Sequence, residues 1–150
     1  MALPSHLQLQ IVSADRSLVK EWVDEVEIPG ADGYFGVLPG HTPLLAALAV
    51  GELWYRKGQE KTYLAIAFGF AEVLPDSVTI LAQLAEKAEE IDPERAEAAR
   101  ARAAELLAGP AIDIDYERAR IALTKSLSRL QVSSRISISQ RTGALKQVRT

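Results

Sequence analysis

The chain has 150 residues, 48% hydrophobic and 25% charged, a balance that fits one ordinary globular domain or two small ones. No run nears the roughly 18 apolar residues that span a bilayer, and Met1-Ala2-Leu3-Pro4-Ser5-His6 lacks the basic flank and apolar core of a signal peptide. All 20 acids but only 13 of the 17 bases precede residue 133, so an acidic body of −7 argues against nucleic-acid partners, and the absence of cysteine excludes disulfide and thiolate chemistry.

Residues 1–86 read as short strands. Leu7, Leu9 and Ile11 alternate with polar neighbours before a turn at Ser13-Ala14-Asp15-Arg16. Val23 to Ile28 forms a second run that ends at Pro29-Gly30. The stretch from Gly33 to Leu45 packs three glycines, two prolines and His41 between apolar segments, and reads as a rigid surface loop shaped for contact. Glu52 to Arg56 and Lys61 to Ala67 flank the hairpin sequence Lys57-Gly58-Gln59-Glu60. Phe68 to Leu74 and Ser77 to Leu81 flank Pro75-Asp76, and Gly69 between two aromatics predicts a bulge or a tight packing point. Strands punctuated by Gly and Pro, with no helical period among them, predict a β-sandwich or flattened barrel.

Residues 87–132 change to alanine, glutamate and arginine, which predicts an antiparallel helical hairpin and makes the whole fold α+β. Asp92 caps the first helix with Pro93 at its first position, and Gly109-Pro110 stops it. The second helix is expected from Asp113 or Asp115 to about Val132. The facing apolar stripes are Ala96, Ala99, Ala103, Leu106 and Leu107 on one helix, and Tyr116, Ala119, Leu123, Leu127 and Leu130 on the other. A first helix so rich in alanine buries little area, so the pair is expected to be marginal on its own. Residues 133–150, Ser-rich and basic through Arg135, Arg141, Lys146 and Arg149, read as a flexible tail.

The chain holds no GxxxxGK[ST] loop, no nucleophile elbow and no paired histidines, and His6 and His41 stand far apart. Asp113 and Asp115 are spaced like a carboxylate pair, but helix capping explains them. No catalytic residue and no metal site is expected, and His41 reads as a hydrogen-bonded turn residue.

The order Gly33-x-x-Gly36-x-Leu38-Pro39-Gly40-His41-x-Pro43-Leu44-Leu45 resembles a signature of the epsilon subunits of bacterial and chloroplast F-type ATP synthases. Pro75-Asp76-Ser77-Val78-Thr79-Ile80-Leu81-Ala82, Ile91-Asp92-Pro93-Glu94-Arg95-Ala96 and the second helix from Asp113 to Leu130 are similar to further family signatures, in the family's order. The resemblance implies a non-catalytic subunit of the central stalk that turns with the gamma subunit and the ring of c subunits. Its hairpin would either fold against the β-domain or extend toward the alpha and beta subunits and block ATP hydrolysis. Membrane association would come only through that complex, on the cytoplasmic face of the bacterial plasma membrane.

By the same resemblance, Gly33, Tyr34, Phe35, Gly36, Leu38, Pro39, Gly40 and His41 match the loop that meets the ring or gamma. Tyr34 stands where family members often carry an acid. Glu86, Asp92, Arg95, Lys125 and Arg129 match positions that bind ATP on the folded hairpin in some relatives. Lys125 offers a point charge where such relatives tend to have the planar arginine fork, which implies weak regulatory ATP and no required cofactor. The structural alternative makes Asp92 a helix cap and pairs Arg95 with a neighbouring carboxylate. An independent ATP-sensing or adaptor domain outside a rotary complex is the alternative function.

Overall fold

The computed structural model describes the backbone of residues 3–110 and 113–148, and side chains over 3–110 and 115–136. Two compact units divide after Lys87.

The first unit is a seven-stranded sheet: β1 (Leu7–Ser13), β2 (Ser17–Val23), β3 (Glu25–Gly30), β4 (Gly33–Val37), β5 (Leu44–Lys57), β6 (Glu60–Leu74) and β7 (Ser77–Lys87). The strand order is β2-β1-β7-β6-β5-β3-β4, antiparallel except where β1 runs parallel to β7, with Leu9 opposite Val78 and Ile11 opposite Ile80. β5 and β6, at 14 and 15 residues, are the longest strands. Their ladder is irregular beside Phe68 and Gly69, where φ is +59° and +120°. Irregularities of this kind bend and twist a sheet. Leu9, Ile11, Val78 and Ile80 from one half then share a core with Val26, Ile28, Leu53 and Tyr55 from the other, and β2 approaches β5 without sharing a ladder with it. The result is the β-sandwich that the alternating sequence predicts.

The hairpin turns lie where the sequence places them. Lys57 pairs with Glu60 around Gly58-Gln59, Gly58 taking φ +60°, and Leu74 pairs with Ser77 around Pro75-Asp76. Two strands differ from expectation. β2 was hidden because its burial does not alternate: Leu18 and Val19 are both buried while Glu21 and Trp22 are both exposed. The front half of the expected contact loop is β4, an edge strand that pairs with β3 from Val26–Val37 to Gly30–Gly33.

In the second unit a 3-10 turn (Ala88–Glu90) precedes α1 (Pro93–Ala108) and α2 (Asp113–Val148). Asp92 Oδ1 accepts the amides of Glu94 and Arg95, 3.0 and 3.3 Å away, with Pro93 at the first helical position. Gly109 closes α1, its amide donating to Leu106 O. α2 continues past Val132, its expected end, to Val148. Ser133 and Ser134 return their hydroxyls to Leu130 O and Gln131 O, so serine there satisfies itself within the helix.

The expected stripes are corrected in part. Leu106, Tyr116 and Leu127 are exposed, and the buried side chains among the described residues are Ala96 and Ala103 on α1 and Ala119, Ser126, Ser128, Val132 and Ser133 on α2. The spacing of seven between Ala96 and Ala103, and along Ala119, Ser126 and Ser133, keeps small residues on one line of each helix. Such a seam allows close approach and buries little apolar area, because alanine and serine have little to bury.

Candidate functional site

Behind β4, Leu38 to Pro43 forms a turn that β5 follows. Gly40 takes φ +86°, and its amide donates to Pro75 O at 2.7 Å, tying the turn to the β6–β7 hairpin. A Cβ on Gly40 would stand 3.2 Å from Leu3 Cδ2, so the N-terminal segment lies close against the same turn. The His41 amide donates to Leu38 O at 3.2 Å. Its Nδ1 lies 2.6 Å from Thr42 O, and a carbonyl only accepts, so Nδ1 carries the proton. His41 is therefore spent on turn geometry.

The same end of the sandwich shows apolar surface. Leu38 and Leu45 are 55% and 71% exposed, and Phe70 and Leu81, directly paired between β6 and β7, are each 56% exposed. Leu45 pairs with Glu72, two residues along β6 from Phe70, which places Leu45, Phe70 and Leu81 on one outward face. The sequence reading named Leu38 but missed this face. Its signal was present, since Phe70 and Leu81 occupy the alternation opposite to buried Ala71 and Ile80.

Of the five residues matched to a nucleotide clamp, Glu86 belongs to the β unit and the other four to the helical unit. Glu86 lines a cavity of about 230 Å³ beside the β1–β2 turn, with Ser13, Asp15, Arg16 and Gln83. There Arg16 Nη2 donates to Ala85 O at 3.5 Å. Asp92 is engaged as the cap, and Arg95 is exposed on the first turn of α1. Among the described residues no carboxylate pairs with Arg95, against the structural alternative raised for it. Lys125 and Arg129 stand one turn apart on α2, both half-buried. Among the described residues, no group of acids and histidines could hold a metal, and no helix is long and apolar enough to cross a membrane.

Two family models match in succession. The ATP synthase delta/epsilon chain beta-sandwich domain covers residues 6–88, and the long alpha-helix domain of the same chain covers 89–134. The ATP synthase epsilon chain of Syntrophobacter fumaroxidans is 49% identical over 86% of this chain and 96% of its own length. That of Solibacter usitatus is 43% identical over 89% and 99%. A solved structure of the Euglena gracilis mitochondrial ATP synthase, containing OSCP, F1 and c-ring, holds a chain similar at a TM-score of 0.78 and 29% identity, over 87% of this chain and 82% of that one. With both of its units matched in order, the chain belongs to the epsilon-subunit family of the F-type ATP synthase central stalk.

Proposed function

We propose that this subunit couples rotation of the gamma subunit to the c ring, and that its helical hairpin restrains ATP hydrolysis by meeting the alpha and beta subunits. The observation that carries the coupling reading is the outward apolar face of Leu45, Phe70 and Leu81, continued at the sandwich end by Leu38. A β-sheet face of this kind is suited to burial against a partner. The loop from Gly33 to His41 meets the ring, and the sheet face meets gamma. The subunit transmits torque and performs no catalytic step, and it reaches the cytoplasmic face of the bacterial plasma membrane through the ring.

The thin seam between α1 and α2 supports the regulatory half of the reading. Small side chains at Ala96, Ala103, Ala119 and Ser126 make the folded hairpin inexpensive to open, and each helix keeps good intrinsic propensity. ATP held by Arg95, Lys125 and Arg129 on the folded hairpin would bias that equilibrium. At a hundred times its dissociation constant a ligand specific for one state favours it by about 2.7 kcal/mol.

The test is ATP hydrolysis by the cognate alpha, beta and gamma core, with the full chain and with a chain truncated after Glu90. Suppression by the full chain alone supports partner and hairpin together. No binding and no change in turnover from either overturns the reading in favour of an independent domain.

A further inference from the structure

Tyr34 is 58% exposed, yet its hydroxyl is held in place. It pairs across the β3–β4 ladder with Pro29, which has no amide hydrogen to give. The ring crosses Pro29 to reach β5, where the Glu52 amide donates to the phenolic oxygen at 3.1 Å. Glycine at position 51 makes the crossing possible, since a Cβ there would stand 2.3 Å from the Tyr34 oxygen and 2.7 Å from Pro29 Cβ. The β3–β5 register breaks between Glu27 and Gly30, and Tyr34 supplies an acceptor within that break.

A phenolic oxygen that accepts still has its own proton to donate. Among the described residues no acceptor takes it. With the oxygen engaged by the β5 backbone, that proton is left to the solvent side of the β4 edge. Residues 31–45 include Asp32 and His41 but no lysine or arginine. A single aimed donor, with no cation in its own stretch of chain to attract an anion, fits an uncharged acceptor, either a main-chain carbonyl or a carboxamide, whereas a carboxylate would be repelled by Asp32.

We propose that Tyr34 is a specificity-determining contact residue, whose hydroxyl, oriented by the Glu52 amide, donates to an uncharged acceptor on the c ring. The proposal rests on the assignment of this loop to the ring. Losing one such bond should weaken the contact about fivefold.

The test measures affinity of the gamma–epsilon complex for the purified ring, with wild type, with Tyr34→Phe, and with difluorotyrosine incorporated at position 34. The difluorinated phenol ionises closer to neutral pH than tyrosine. Its phenolate still accepts the Glu52 amide, so the ring stays positioned while the donor is lost. Wild type measured over the same pH range removes the contribution of every other group, Asp32, Glu27, Glu52 and His41 included. The expected result is an about fivefold loss with Tyr34→Phe, and a similar loss confined to the fluorinated chain as pH rises through its ionisation. Wild-type binding with a fluorinated chain whose affinity follows the wild-type pH curve overturns this inference alone. A wild-type chain that does not bind the ring overturns the loop assignment and the inference with it.

Discussion

The Asp24 carboxylate accepts the Gly58 amide at 2.7 Å, joining the β2–β3 corner to the tip of the β5–β6 hairpin. His6 Nδ1 stands 2.8 Å from the other oxygen, and the Arg56 guanidinium, which also pairs with Glu25, is 3.8 Å from the first. The Gly58 amide, then His6, hold the Asp24 carboxyl below the usual carboxylate range. A carboxyl with a lower pKa folded than unfolded contributes stability above its unfolded pKa and loses it as pH falls through the folded value. Asp24→Asn should therefore lower stability at pH 7 and flatten the acid limb below about pH 4. Urea unfolding midpoints at several pH values check this, and parallel curves for the two proteins would contradict it.

Gly69 lies so near β7 that an added Cβ would stand 2.0 Å from Leu81 O, in a backbone with φ +120°. Gly69→Ala should cost about 2–4 kcal/mol through strain and overpacking, whereas Gly36→Ala, which meets nothing within 4 Å, should stay within about 0.5 kcal/mol. Thermal unfolding of both variants measures the contrast.

What was legible in the sequence follows from how local its cause was. Gly69 between aromatics, Gly58 at a hairpin tip and Asp92 before Pro93 each carry their reason within a few residues, and the structure uses all three. β4 was read as loop because Gly33 and Gly36 suit either state, and only pairing with β3 decides between them. The expected α1–α2 stripes include the buried Ala96, Ala103 and Ala119 but also the exposed Leu106, Tyr116 and Leu127, because leucine outranks serine in any hydrophobic count. Which line of a helix faces its partner depends on how closely the axes approach, and Ala119, Ser126 and Ser133 allow that approach while Leu127 does not. At the contact loop, the turn chemistry of Gly40 and His41 was readable, but the reach of Tyr34 to Glu52 joins residues 18 apart and required the fold.

Asp92 is matched to a ligand position and also observed as a cap, and substitution separates the two roles. Asp92→Ala should destabilise α1 by about 1 kcal/mol, while asparagine, an equally good cap, should preserve most of the helix. Hydrogen exchange along α1 reads the cap. ATP titration of Asp92→Asn reads the carboxylate separately, and equal affinity would assign Asp92 to the cap alone.

Ala103, 2% exposed, stands in the seam of small residues. Ala103→Leu should overpack it and destabilise the folded hairpin by about 1–3 kcal/mol, leaving the β unit unaffected. Faster amide exchange in α1 and α2 with unchanged protection in β5 and β6 is the expected signature.

Ser128 is 8% exposed, and its Oγ has no hydrogen-bond partner among the described residues. Its neighbours on α2 behave differently: Ser126 donates to Ala122 O at 2.8 Å, and Ser133 to Leu130 O at 3.0 Å. A buried hydroxyl without a partner forfeits its hydration and gains nothing in return, which costs about 1–3 kcal/mol. Removing the oxygen removes that cost and leaves a methyl group of better helix propensity. Ser128→Ala should therefore stabilise the helical unit by about 1 kcal/mol, whereas Ser126→Ala, which gives up a made bond, should be neutral or slightly destabilising. Denaturant unfolding followed by helical signal compares the two. A loss of stability in Ser128→Ala would mean that the hydroxyl is satisfied by a partner or water in solution.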